Sequence, residues 1–199
     1  MTIDPQMVSR APVLPVSLER AKQHLRVDVS DDDDLITDMI KAAADYAEGF
    51  MGRTIVDTTY DLVLDGFPKN RVSLALPRPP LIALGGVYLL DADDNETTLA
   101  GVVVDLAGGR LIAPSGGWPT ATSEASVRVR YRAGYVSYDA EASPPATEGA
   151  VPSAIVAGLL LYIGSLYQQR EDQTPTAMTT IPLSAERLLR MYRIELGMA

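Results

Sequence analysis

The sequence predicts an α+β fold in which helices from both chain ends form a bundle and an antiparallel β-sheet or sandwich is inserted between them. Three observations carry that prediction. Apolar residues recur at helical spacing across residues 14–53, they alternate between Gly and Pro punctuation across residues 54–149, and helical spacing returns from residue 150. The expected division is 1–53 with 150–199 as one discontinuous helical domain, and 54–149 as the inserted β domain. No amphipathic helix buries its own stripe, so the helices of the two ends are expected to pack together.

The first helix is expected to start at Ser17, a good N-cap, and to place Leu18, Ala21 and Leu25 on one face with Arg20, Lys22 and Arg26 on others. The run Asp31-Asp32-Asp33-Asp34 then opens a second helix, where carboxylates complement the positive end of the dipole and can accept its unpaired N–H groups. Leu35, Ile36, Met39, Ile40, Ala43, Tyr46, Ala47 and Phe50 form its apolar stripe, and Gly52 suits the stop.

Past Arg53 the period changes. Thr58–Leu64 (TTYDLVL) has the β-branched and aromatic content of a strand, ended by Asp65-Gly66-Phe67-Pro68. Val72, Leu74 and Leu76 alternate with Ser73 and Ala75 up to Pro77, and Pro79-Pro80 forces an extended kink before Leu81–Leu90. Asp91–Glu96 reads as a turn, Thr97–Leu106 as strand, Gly108-Gly109 as a turn, and Arg110–Ala113 and Ser126–Ala133 (SVRVRYRA) as further strands. Short strands with this punctuation favour a compact antiparallel sheet or sandwich.

Ser137–Pro152 reads as a loop, and Pro152 occupies the first turn of a helix running from Ser153 to about Arg170. That helix would be ~25–30 Å long. Ile155, Val156, Leu159, Leu160, Ile163, Leu166 and Tyr167 cover most of its circumference, which places it at the centre of a bundle or against a neighbouring subunit. Gln173–Pro182 is a polar linker, after which Ser184 caps a last helix with apolar Leu188, Leu189, Tyr192 and Leu196 and basic Arg187, Arg190 and Arg193.

Composition excludes several functions. The 199 residues are 47% hydrophobic and 22% charged, as in an ordinary folded protein. With no cysteine, disulfides and thiolate metal sites are impossible. A net charge of -9 disfavours a surface that grips nucleic acid by neutralising phosphates. The stretch MTIDPQMVSR has neither apolar core nor cleavage site, against a secretory signal, and Ala154–Tyr167 falls short of a membrane span. No cofactor and no membrane partner are expected.

Candidate chemistry is thin. Asp91-Ala92-Asp93-Asp94-Asn95 matches the first half of an EF-hand loop, but Glu96 and Val102 occupy the positions that need glycine and an acidic ligand. His24, the only histidine, has no cysteine and no G-x-S-x-G phrase to serve, and reads as a surface residue. Asp61 and Asp65 could suggest a glycosidase dyad, yet carboxylate pairs are common in so acidic a chain. No catalytic or metal residue is assigned, and an enzyme is not expected. Two features read as interaction surfaces: the basic last helix, and the loop Gly116-Gly117-Trp118-Pro119. Its Trp118, the only tryptophan, is either a lid on the local β core or an inter-subunit contact.

Several phrases in order carry a resemblance: LPVSLERAKQHLRVD (Leu14–Asp28), DDDDLITDMIKAAADYAEGFMGR (Asp31–Arg53), LDGFP (Leu64–Pro68), LPRPPL (Leu76–Leu81), YRAGY (Tyr131–Tyr135) and LYQQRE (Leu166–Glu171). Together they resemble the head–tail connector, or adaptor, proteins of long-tailed bacteriophages and of phage-derived gene transfer agents, in the long form with a β insertion. The resemblance implies a homo-oligomeric, twelvefold ring in the neck of a virion or gene transfer agent particle, assembled in the bacterial cytoplasm. Its implied partners are the portal protein and a stopper or tail protein. DNA would pass through the channel without specific binding, past an acidic lumen. The resemblance also implies that the chain beyond the long helix reaches toward the portal. By chain order this assigns Arg187, Leu188, Arg190, Met191, Tyr192 and Arg193 to the portal or another partner, with arginines meeting carboxylates. A tail-terminator-like protein, a small hydrolase using His24 or a carboxylate pair, and a free-standing β-sandwich module are the alternatives.

Overall fold

A computed structural model describes residues 4–68, 72–91, 95–119, 126–138, 151–168 and 182–194. The element order is β1 (Gln6–Arg10), α1 (Leu18–Leu25), α2 (Asp33–Met51), β2 (Thr58–Leu64), β3 (Ser73–Ala75), β4 (Leu81–Leu90), β5 (Glu96–Thr98), β6 (Val103–Asp105), β7 (Arg110–Ile112), β8 (Ser126–Ala133), α3 (Ser153–Gln168) and α4 (Leu183–Arg190). The α+β class is as the hydrophobic periods indicate. The chain divides into two compact units, Met1–Ala11 with Val56–Ser137, and Pro12–Ile55 with Tyr138–Ala199.

The first unit is built from strands. One sheet has the order β1-β2-β8-β4-β5 and a smaller one the order β3-β7-β6, and every pairing within them is antiparallel. The register sets Tyr60 opposite Tyr131, Leu62 opposite Val129 and Leu64 opposite Val127, so one face of the larger sheet is apolar. That face, with Leu111 and the partly buried Leu74 and Val104 of the smaller sheet, forms the core. The sequence places residues 1–53 with the helices, but Gln6–Arg10 instead pairs with Thr58–Asp61 as an edge strand. Its residues are exposed or half-buried, so no apolar alternation announces it; backbone pairing holds it there. Thr97–Leu106, expected as one strand, is two strands in two sheets. Gly101, at φ +79, lies between them and supplies the left-handed turn by which the chain changes sheet.

The second unit is built from the four helices of the described chain. Ser17 caps α1 by accepting from the Arg20 N–H at 3.4 Å, and Gly52 ends α2 in the left-handed region at φ 66. Ala21, Ile36, Ile40, Ala43, Ala47, Ile155, Leu159, Ile163 and Leu189 are buried, and α3 packs against each of the other three helices. Three details differ from the sequence reading. Leu35 is turned out to solvent, 39% exposed. Asp32 makes no side-chain cap; its carboxylate instead accepts the Tyr167 hydroxyl at 2.6 Å, and Asp33 pairs with Lys22 at 2.5 Å. The aspartate run thus ties α2 to α3 and α1 as well as favouring the helix start. Finally, Ser184 lies inside the first turn of α4: Pro182 precedes the helix and its carbonyl accepts the Glu186 N–H at 3.1 Å. The linker Gln173–Pro182, apart from Pro182, lies outside the described residues, as do Leu196, Asp93 and Asp94.

Candidate functional site

The residues singled out at the C-terminal end are carried by α4 and the turn after it. Ala185 and Leu189 are buried, and a side chain at Gly158 of α3 would stand 3.1 Å from Leu189 Cδ2 and 3.5 Å from the Ala185 carbonyl oxygen. The missing Cβ lets the two helices approach closely. The opposite side of α4 carries Leu183, Arg187, Arg190 and Met191, all exposed, with Leu183 at 64% and Met191 at 66%. At i, i+4, i+7 and i+8 these four share one face, two guanidinium groups between two apolar side chains.

The remaining residues of the expected set are engaged within the unit. Leu188 and Tyr192 are half-buried. Arg53 Nε donates to the Tyr192 carbonyl at 2.5 Å, and the Ile194 N–H donates to the Met51 carbonyl at 2.9 Å, which fastens the turn to the end of α2. The Arg193 guanidinium lies over the Phe50 ring, 5.1 Å from its centroid. Phe50 stacks on Tyr46 at 6.0 Å, and Tyr46 meets Tyr162 at 5.2 Å. Burial pushes the Tyr46 hydroxyl above its ordinary range, Glu186 and Tyr162 add to the shift, and Arg193 opposes it. Within the expected set, then, Arg187, Arg190 and Met191 stand outward, Tyr192 is half-buried, and Arg193 is exposed but lies over Phe50.

Trp118 lies in the strand unit, stacked on Phe67 with centroids 4.3 Å apart and planes at 8°, and packs on the apolar core. His24 is exposed on α1, with Nε2 3.5 Å from where a Cβ on Gly164 would stand. Among the described residues no group of three or more His, Cys, Asp or Glu is placed to hold a metal ion, and no helix is long and apolar enough to cross a membrane.

The sequence reading missed one charged arrangement. Opposite the apolar face of the larger sheet, β8 presents Arg128, Arg130 and Arg132. Arg130 makes a two-pronged pair with Asp61 at 2.7 and 2.7 Å, Arg132 pairs with Asp57, and Arg128 pairs with Glu96 while lying 5.0 Å over Tyr88. The hydrogen bond from Arg130 holds the Asp61 carboxyl below its ordinary value, against the opposing effect of burial. The alternation in SVRVRYRA was the available signal, since every second residue is arginine.

Residues 15–76 match the family of phage gp6-like head–tail connector proteins. The resemblance to that family read from Leu14–Arg53 is borne out over this stretch. No curated protein matches the chain. Among solved structures, a chain in the virion of a native gene transfer agent particle is 21% identical with TM-score 0.76, covering 98% of each chain. One in the neck of the native particle, computed with C12 symmetry, is 22% identical with TM-score 0.72 and covers 98% of each. One in the neck of the empty particle, computed with C6 symmetry, is 22% identical with TM-score 0.72, covering 97% of this chain and 99% of that one. At these identities the likeness is one of fold, and it extends over nearly the full length of both chains.

Proposed function

We propose that this chain, which carries connector sequence over residues 15–76, is a structural head–tail adaptor of a phage or gene transfer agent neck. Copies close into a ring between the portal and the stopper or tail, taken as twelvefold from the C12 symmetry used for a similar neck. The carrying observation is that the family match covers α1, α2, β2 and β3 while the fold likeness covers nearly the whole chain. Physically the activity is assembly. A head-to-tail contact whose rotation closes yields a ring with a central channel. The net charge of -9 suits a lumen past which DNA moves without adhering, because few counterions are released. The role calls for no reacting group. The four helices and two sheets of the described residues weigh against a mainly β tail terminator.

Imaging the neck of the purified particle at side-chain resolution tests the proposal. The expected result is density for this chain in a closed ring beneath the portal. Absence of the chain from particles, its location elsewhere in the tail, or turnover of a substrate by the isolated subunit would overturn it.

A further inference from the structure

The outward stripe of α4 has a counterpart on the same unit. On α2, Asp34, Leu35, Asp38, Lys41, Ala42 and Asp45 are exposed at i, i+1, i+4, i+7, i+8 and i+11, and together form one face. Three carboxylates outweigh one lysine there, and Lys41 is itself 3.0 Å from Asp38. We infer that the α4 stripe, Leu183, Arg187, Arg190 and Met191, seats on the acidic α2 face of the next copy of this chain, rather than on the portal.

Three arguments lead to that occupant, and all rest on the ring reading above. A head-to-tail ring needs two different, mutually complementary surfaces on one subunit. These two faces carry opposite charge, and each mixes its charges with apolar side chains, Leu183 and Met191 on one and Leu35 and Ala42 on the other. Their lengths are compatible, since Leu183 to Met191 rises ~12 Å along a helix and fits within the ~16–17 Å from Asp34 to Asp45. Charge sign also selects the pairing: α2 against α2 sets carboxylates together and α4 against α4 sets arginines together. Neither face therefore seats on its own counterpart, and the attractive contact is α2 against α4, which in a head-to-tail arrangement propagates around a ring.

The test uses particles assembled with a photo-crosslinking residue at position 187. Crosslinks are expected to residues 34–45 of a second copy. Crosslinks to the portal or to any other particle protein, or none in particles that contain the chain, would overturn the inference while leaving the adaptor reading intact. If the chain is absent from particles, the adaptor reading fails first and the inference with it. Separately, Arg187→Glu with Arg190→Glu is expected to lower ring yield about tenfold. Adding Asp34→Arg and Asp38→Arg to the same chain should restore it. Wild-type yield from the first variant, or continued loss in a folded chain carrying all four changes, would count against it.

Discussion

Gly134 shows how a single hydrogen can fix a site. It sits at φ +147, where a Cβ would meet Asp57 N and Val56 C at 2.8 Å, and both are backbone atoms that cannot step aside. Gly134→Ala should therefore destabilise the strand unit by about 2–3 kcal/mol, read as a shifted denaturant midpoint. Gly49 is the contrast: it lies on the exposed side of α2 with nothing within 4 Å. Gly49→Ala should stabilise by about 0.5–1 kcal/mol in the same assay. Asp61 carries a pH dependence whose sign follows from its lowered native pKa. Its contribution is complete above the unfolded carboxylate value, at about pH 4, and is lost as pH falls through the lower native value. Asp61→Asn should cost about 1–2 kcal/mol at neutral pH and flatten that acid limb of the stability curve. An unchanged limb in the variant would mean that Arg130 contributes nothing through this pair.

Among elements, α4 is held by a contact that depends on a missing side chain. Gly158→Val would drive branched methyls into Leu189 Cδ2, 3.1 Å from the Cβ position. Amide exchange in Leu183–Arg190 should rise about tenfold or more while exchange in α2 stays protected. Equal acceleration in both helices would show that α4 does not open alone. The elements that were legible in the sequence carry strong local signals: Thr58–Leu64 is the strand its β-branched and aromatic content predicts, Ser126–Ala133 the one its alternation predicts, and Ser17 and Gly52 mark helix ends as read. The illegible ones lack that signal. β1 has no buried face, and the single apolar run Thr97–Leu106 hid a change of sheet at Gly101. The candidate surface was half legible. The arginines of α4 stand out in an acidic chain, but spacing could not say that Arg193 would turn back onto Phe50 while Arg187 and Arg190 face out. The aspartates of α2 read as a helix start, and their outward face appears only once the buried side of the helix is known.

For the molecule as a whole, charge predicts behaviour toward DNA. A chain of net charge -9 whose β8 arginines are each paired with a carboxylate offers few cations to phosphate. Duplex DNA should therefore show no retardation by the protein at about 0.1 M salt, and a steep loss of binding with added salt would contradict this. The order in which the chain visits its two units has another consequence. It begins in the strand unit, leaves at Ala11, returns at Val56 and departs again after Ser137. β1 has no partner until β2 is made, β2 awaits β8, and α1 and α2 await α3. During synthesis on the ribosome, the strand unit cannot close before β8 has emerged, nor the helical unit before α3, so a product terminated ahead of β8 would expose the apolar surfaces of both. Such fragments would be open to proteolysis through their own incompleteness, a cost of threading one polypeptide twice through each unit.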